Sequence, residues 1–193
     1  IGCVGFYNLE NLFDTIDTPN VRDTEFSPEG VRLWNTTLYR EKLDNLAKVI
    51  SKIGTELSPD GAAILGVSEV ENRQVLEDLV AHPTIADRQY KIVHFDSPDK
   101  RGIDVAMLYQ SKYFRVTGVE KMPAIMPDPT GKARPTRDIL FVSGEFDGDP
   151  MHFLVNHWPS RSGGEAVSAW KREYCALLNK NIVDSLQQEN PLA

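Results

Sequence analysis

Apolar and polar positions along the chain follow two distinct periods. Residues 1–9 (Ile-Gly-Cys-Val-Gly-Phe-Tyr-Asn-Leu) form a short apolar run that breaks into a polar stretch from Glu10 to Gly30, the pattern of a buried strand feeding a surface loop. Tyr39, Leu43, Leu46, Ile50 and Ile53 then recur at helical steps, which predicts a helix with that stripe on the core and Gly54 at its end. Ala62 to Val70 is nearly all apolar, and Val75, Leu79 and Val80 follow at helical spacing over 72–81. This predicts a strand, a sharp turn and a helix.

From Tyr90 the period falls to two. Segments 90–95, 103–109 and 113–119 read as successive neighbouring strands, with a turn at 96–102. Lys121 to Pro135 holds Pro123, Pro127, Pro129, Pro135 and Gly131, and is expected to be a mobile surface loop without regular structure. Segments 137–146 and 151–157 flank Asp147-Gly148-Asp149-Pro150, the strongest hairpin signal in the chain. After Gly163-Gly164, a long last helix carries Val167, Trp170, Tyr174, Leu178, Ile182 and Leu186, a stripe expected to dock on a sheet. Mixed strands and helices, without an internal repeat or a break in composition, predict one domain over residues 1–193, of α/β or α+β class with a mixed sheet. The chain ends directly after a helix, where a further strand is expected, so the domain reads as truncated at its C-terminal end.

Composition narrows the classes. With 193 residues the chain is long enough for a sizeable core, and no apolar stretch approaches the roughly 20 residues that span a bilayer. The 28 acidic against 21 basic residues give a net charge of -7, so there is no broad basic footprint for nucleic acid, and phosphate binding must be local or metal-assisted. Cys3 and Cys175 lie in apolar stretches and are expected to be small buried thiols that set no redox compartment. A start at Ile1, without an initiator Met, is compatible with a removed signal peptide, and so with a secreted or periplasmic protein, or with a boundary inside a longer chain. Localisation and oligomeric state stay open.

Three polar clusters each follow an apolar strand: Asn8-Leu9-Glu10-Asn11, Ser68-Glu69-Val70-Glu71-Asn72, and Asn156-His157-Trp158-Pro159-Ser160-Arg161. Groups at strand ends commonly line the ligand crevice of an α/β fold. Taken singly, Glu69 and Glu71 also suit capping of the helix that begins near Asn72, and His157 suits a structural hydrogen bond. Zinc-type His/Cys spacing, a Walker-type phosphate loop and a Gly-x-Ser-x-Gly elbow do not occur in the sequence, which argues against covalent serine or cysteine catalysis.

Taken in order, residues 6–14 (Phe-Tyr-Asn-Leu-Glu-Asn-Leu-Phe-Asp), 65–72 (Leu-Gly-Val-Ser-Glu-Val-Glu-Asn), 101–109 (Arg-Gly-Ile-Asp-Val-Ala-Met-Leu-Tyr) and 155–161 (Val-Asn-His-Trp-Pro-Ser-Arg) resemble the endonuclease/exonuclease/phosphatase superfamily, the deoxyribonuclease I-like fold. The resemblance implies a four-layer α/β sandwich, two packed mixed β-sheets flanked by helices, cutting phosphate esters with a divalent metal, usually Mg2+, with Mn2+ or Ca2+ as substitutes. It makes Glu69 the metal-binding glutamate and Glu10 a second acidic group near the metal. Asn8 would hold the phosphate or the attacking water, and His157 would contact the phosphate and help protonate the leaving group.

Elementary chemistry fits these roles. A hard cation keeps several waters and needs only one or two carboxylates besides the substrate phosphate, and it stabilises charge developing on a phosphate oxygen. Arg161, with Ser160 beside it, and Arg137 are candidate phosphate contacts. Asp104 is expected either to face the cleft or to cap the turn after Gly102. The family's later Gly-Asp-x-Asn and Asp-His motifs do not occur before Ala193, so the C-terminal half, with the general base, is expected to be absent from this stretch. The expected substrate is a phosphodiester, nucleic acid among the candidates. The alternatives are a phosphatase- or sphingomyelinase-like enzyme acting on lipid or inositol phosphates, and a non-catalytic binding module that keeps the fold.

Overall fold

The computed structural model describes residues 2–127 and 131–190. Strand β1 (Cys3–Leu12) is followed by helix α1 (Thr36–Ile50), β2 (Ala62–Val70), α2 (Arg73–Val80), β3 (Lys91–His94), β4 (Asp104–Tyr109) and β5 (Phe114–Met122). Then come β6 (Ile125–Pro127), β7 (Ala133–Pro135), β8 (Ile139–Phe146), β9 (Asp149–Val155) and the long helix α3 (Glu165–Glu189). One sheet has the order β1-β2-β4-β3 and the other β5-β8-β9, while β6 and β7 form a separate hairpin. Because β1 runs parallel to β2 and the other pairs are antiparallel, the first sheet is mixed and the second antiparallel.

Period-two alternation builds the layers. Leu65 and Val67 of β2 with Ala106 and Leu108 of β4 pack against Leu43, Leu46 and Ile50 of α1 and Val75, Leu76 and Leu79 of α2. The intervening residues Ile64, Val105 and Met107 turn the other way and meet Phe114, Leu140, Val142 and Val155 of the second sheet. Each such side chain contributes about 1.5–3 kcal/mol when fully buried. Helix α3 covers the far face of the second sheet, where Leu178, Ile182 and Leu186 share a groove with Met122, Ile139 and Phe141. The order of layers is helix, sheet, sheet, helix, the sandwich that the motifs imply. No β1 residue joins the cluster between the sheets, so Val4 and Phe6, on that face of β1, stay about half exposed.

Helix starts follow their caps. The Asn35 side chain accepts from the Thr37 and Leu38 N–H groups at α1, and the Asn72 side chain accepts from Val75 N–H at α2. Asn72 is therefore the cap, and Glu69 and Glu71 are not. The second hairpin turns on two residues, since Phe146 pairs with Asp149. Asp147 and Gly148 have φ of 53° and 93°, the left-handed pair of a type I′ turn.

Three expectations need correction. Residues 113–119 do not neighbour β4; as part of β5 they pair with β8 in the other sheet, because Phe114 and its neighbours serve the second core layer. The proline-rich stretch 121–135 is not wholly irregular, since it contains the β6–β7 pairing. The Thr136 N–H donates to the Ala124 carbonyl, which places Pro135 and Pro127 at the alternate, non-hydrogen-bonded positions where a missing N–H costs nothing; Pro129 lies outside the described residues. The α3 stripe docks only in part, with Val167 and Trp170 exposed and Ser168 and Cys175 its buried residues.

Candidate functional site

Two backbone irregularities at matching ends of β1 and β2 set the site. Leu9 and Leu12 both enter the helix-side core, although residues three apart on a regular strand point to opposite faces. The offset is taken up at Glu10 and Asn11, with φ of 53° and 61°, where the register with β2 shifts. On β2, Val67 and Val70 likewise share the helix-side core; Glu69 between them has φ of 60°, and the register with β4 shifts there. Such bulges re-aim side chains, and left-handed backbone at a residue other than glycine costs on the order of 1–3 kcal/mol. The bulge turns Glu69 out of the core that its parity would assign.

Glu69 meets His157, which follows β9, with Oε1 and Nε2 3.3 Å apart. Both side chains are about one-fifth exposed. Burial, then the Arg137 cation, hold the His157 imidazole below its ordinary range, against the pull of Glu69. The His157 Nδ1 atom and the Ser68 hydroxyl are buried with no partner among the described residues. Asn8 pairs across the strands with Ser68, and its Oδ1 accepts the Glu10 N–H at 2.8 Å.

Arg137 is 9% exposed and tied at two points, donating from Nε to the His157 carbonyl and from Nη1 to Asp99 Oδ2, each at 2.9 Å. Asp99 also receives the Arg101 N–H, and Arg101 acts on His157 electrostatically. On the other side, Lys42 of α1 donates to the Glu10 carbonyl at 3.1 Å. Burial lowers the Lys42 ammonium, opposed by the Glu10 and Glu69 carboxylates.

The structure thus brings together Glu69, His157 and Arg137, with Asn8 and Glu10 at the neighbouring strand end. It does not gather the remaining candidates there. Arg161 is 80% exposed and pairs with Glu165, the first residue of α3, and the Ser160 carbonyl accepts from Arg172. Asp104 is buried, with one oxygen on His94 Nε2 and the other on the Ser97 N–H and hydroxyl, so it serves the turn before β4. His94, Asp96 and Asp104 offer metal-type ligand atoms within 4.8 Å of one another, but both Asp104 oxygens already hold these bonds. Asp99, Arg101 and Lys42 were missed by sequence reasoning. Asp99 and Arg101 look like ordinary turn residues, and Lys42 sits beside Leu43 at the rim of the helix stripe, where a solvated lysine is the usual occupant.

The model of the endonuclease/exonuclease/phosphatase family matches residues 3–193. Among curated proteins, none matches the chain. Solved structures that resemble it include an endonuclease/exonuclease/phosphatase from Bacteroides vulgatus, at TM-score 0.52 and 16% identity, covering 95% of this chain and 59% of that one. TDP2 from D. rerio, humanized by 14 mutations, has TM-score 0.50 and 12% identity over 90% of this chain and 53% of its own. Truncated TDP2 of Caenorhabditis elegans has TM-score 0.48 and 19% identity over 78% and 52%. At these identities the likeness to the first two speaks for the fold alone, and the chain spans little more than half the length of these structures. With the family match covering nearly every residue and the sandwich in place, the chain belongs to the endonuclease/exonuclease/phosphatase family.

Proposed function

We propose that the chain supplies the metal- and phosphate-binding part of a divalent-metal-dependent phosphodiesterase that hydrolyses its substrate by attack of water. The observation that carries this reading is the meeting of Glu69, ejected from the core by its bulge, with His157 at 3.3 Å, beside an Arg137 pinned by Asp99. Carboxylate, imidazole and guanidinium from three separate segments converge without a core requirement for any of them. Family membership supports hydrolysis of a phosphoester as the reaction class.

The Glu69 carboxylate is a hard oxygen donor with partial access to solvent, which fits a Mg2+ ion that keeps most of its waters; Mn2+ and Ca2+ share that preference. Glu69 would hold the ion, with Glu10 as the second acidic group at the neighbouring strand end. When bound, the metal polarises a phosphate oxygen and stabilises the charge developing there. The other steps belong to the side chains. His157, whose Nε2 faces Glu69, would turn that nitrogen's N–H to a phosphate or leaving oxygen once Glu69 is engaged elsewhere, and help protonate the leaving group. Arg137 uses Nε and Nη1 internally and offers Nη2 to a second oxygen, its direction fixed by Asp99. The Asn8 amide, with its oxygen occupied by the Glu10 N–H, donates from nitrogen to the phosphate or to the attacking water.

The test is hydrolysis of bis(p-nitrophenyl) phosphate by the full-length protein in Mg2+. Glu69→Ala and His157→Ala are each expected to lower kcat by about a hundredfold or more, the scale of a lost charge-stabilising or proton-transferring group. Retention of most activity in both variants would refute the assignment.

A further inference from the structure

Helix α3 meets the strand end that carries His157 through polar groups rather than through its apolar stripe. Val167 and Trp170 stay exposed, and Leu178, Ile182 and Leu186 sit over the second sheet. Asn179 of α3 and Asn156, directly after β9, are both partly buried and form a reciprocal amide pair. Asn156 Nδ2 donates to Asn179 Oδ1 at 2.9 Å, and Asn179 Nδ2 donates to Asn156 Oδ1 at 3.0 Å. Asn156 Nδ2 also donates to the Leu154 carbonyl at 3.0 Å, and Asn156 Oδ1 accepts the Trp158 indole N–H at 3.1 Å. Asn179 Nδ2 completes the network by donating to the Cys175 carbonyl at 2.8 Å.

Only one orientation of the two amides satisfies these partners. An indole N–H can only donate and a carbonyl can only accept, which fixes the oxygen and the nitrogen of Asn156. The pairing and the Cys175 carbonyl then fix those of Asn179. Both amide hydrogens of Asn156 are used, and its oxygen accepts twice. A polar network satisfied to this degree holds a single arrangement. Stability alone does not call for it, because an apolar pair of the same shape would be nearly neutral in its place.

The segment so held is the one around His157. Asn156 precedes that residue and Trp158 follows it, so one amide grips the chain on both sides of the imidazole. The His157 carbonyl is held separately, by Arg137 Nε. Two further residues of α3 reach the same segment less firmly: Arg172 donates to the Ser160 carbonyl at 3.4 Å, and Glu165 pairs with Arg161 where both side chains are exposed. We infer that Asn179 is a positioning residue, which acts through Asn156 to set where the His157 imidazole stands relative to Glu69. The inference rests on the phosphodiesterase reading of the site and adds to it a residue of α3 that acts only through another side chain.

The experiment compares Asn179→Leu, Asn156→Leu, their double variant and Leu178→Ala in the full-length protein. Leu178 is the control, since it packs α3 on the second sheet and has no place in the amide network. In hydrolysis of bis(p-nitrophenyl) phosphate with Mg2+, each asparagine variant is expected to lose about tenfold in kcat with KM little changed, the mark of a displaced but intact catalytic group. The double variant should lose no more than either single one, because the pair acts as a unit. Leu178→Ala should lower Tm and keep the wild-type kcat. In NMR spectra the Trp158 indole N–H and the His157 Cε1–H resonances, assigned with Trp158→Phe and His157→Ala, should move in the asparagine variants and hold in Leu178→Ala. A wild-type kcat in Asn179→Leu and in the double variant overturns the inference. So does an equal loss of kcat in Leu178→Ala, which would make the docking of the helix as a whole the cause. Should a single variant fail to fold, the double variant, apolar against apolar, carries the same comparison. If the wild type hydrolyses no phosphodiester, it is the phosphodiesterase reading that fails; the resonances then decide whether Asn179 places the His157 ring, and unmoved resonances overturn that placement.

Discussion

Glu71 offers a prediction that can be worked through from its surroundings. Its side chain is 7% exposed and accepts the Asp14 N–H at 2.6 Å and the Thr18 hydroxyl at 3.2 Å, clasping the loop after β1. Burial, with the Asp14 and Asp23 carboxylates adding to it, outweighs those two hydrogen bonds and raises its pKa from 4.5 to about 7. A raised carboxyl pKa means that the folded protein holds a proton that the unfolded chain has already released. Between pH 4.5 and 7 folding therefore takes up a proton, and stability falls as pH rises through that window. A displacement of this size corresponds to at most about 3 kcal/mol, fully felt above pH 7.

Glu71→Gln removes the titration and keeps the shape. The amide oxygen accepts from Asp14 N–H, and the Thr18 hydroxyl rotates to accept from the amide nitrogen. Urea unfolding of wild type and variant at pH 5 and pH 8 isolates the group from every other titrating residue. The expected result is similar stability at pH 5 and a variant more stable than wild type at pH 8, by about 1–3 kcal/mol. The reasoning is refuted if the two proteins show the same change in stability between the two pH values.

Other expectations follow from single residues. At φ of 60°, Glu69→Gly should be more stable than Glu69→Ala by roughly 1 kcal/mol in urea unfolding, since glycine adopts that backbone freely; both should be inactive, and an alanine variant of equal stability would contradict the strain. Asp104→Ala strips partners from His94 and from the Ser97 N–H and hydroxyl and should cost about 2–4 kcal/mol, with a lowered Tm. If it left the Tm unchanged and raised KM instead, Asp104 would be a substrate contact after all.

Periodicity made the layers legible because each strand serves a core on at least one face. Leu65 and Val67 against Ile64, and Leu43 and Leu46 along α1, carry their destinations in their spacing. What periodicity lacks is partner choice: nothing in the alternation of 113–119 says that this strand pairs with β8, with Phe114 opposite Phe146, rather than with β4. Proline content misled at 121–135 because it counts missing donors without knowing which positions need one. Among site residues, Asn8, Glu69 and His157 were readable as motifs at strand ends, and Arg137 as a candidate at the start of a strand. Arg161 was readable as a candidate phosphate contact, while its pairing with Glu165 was not. Asp99 and Lys42 act through atoms brought near from distant segments, Arg137 in one case and the Glu10 carbonyl in the other, and no local pattern carries that.

The bulge at Glu69 has a consequence for how this stretch tolerates length changes. Between Val67 and Val70 the strand holds one residue more than regular pairing allows, and that surplus decides which side chain enters the core. Deleting a single residue there would restore a regular ladder and return strict alternation, with Val70 in phase and no position left to project a carboxylate outward. A deletion scan across 64–72 should therefore separate two properties that usually fail together: removal of Glu69 itself should yield a well-folded protein with no site.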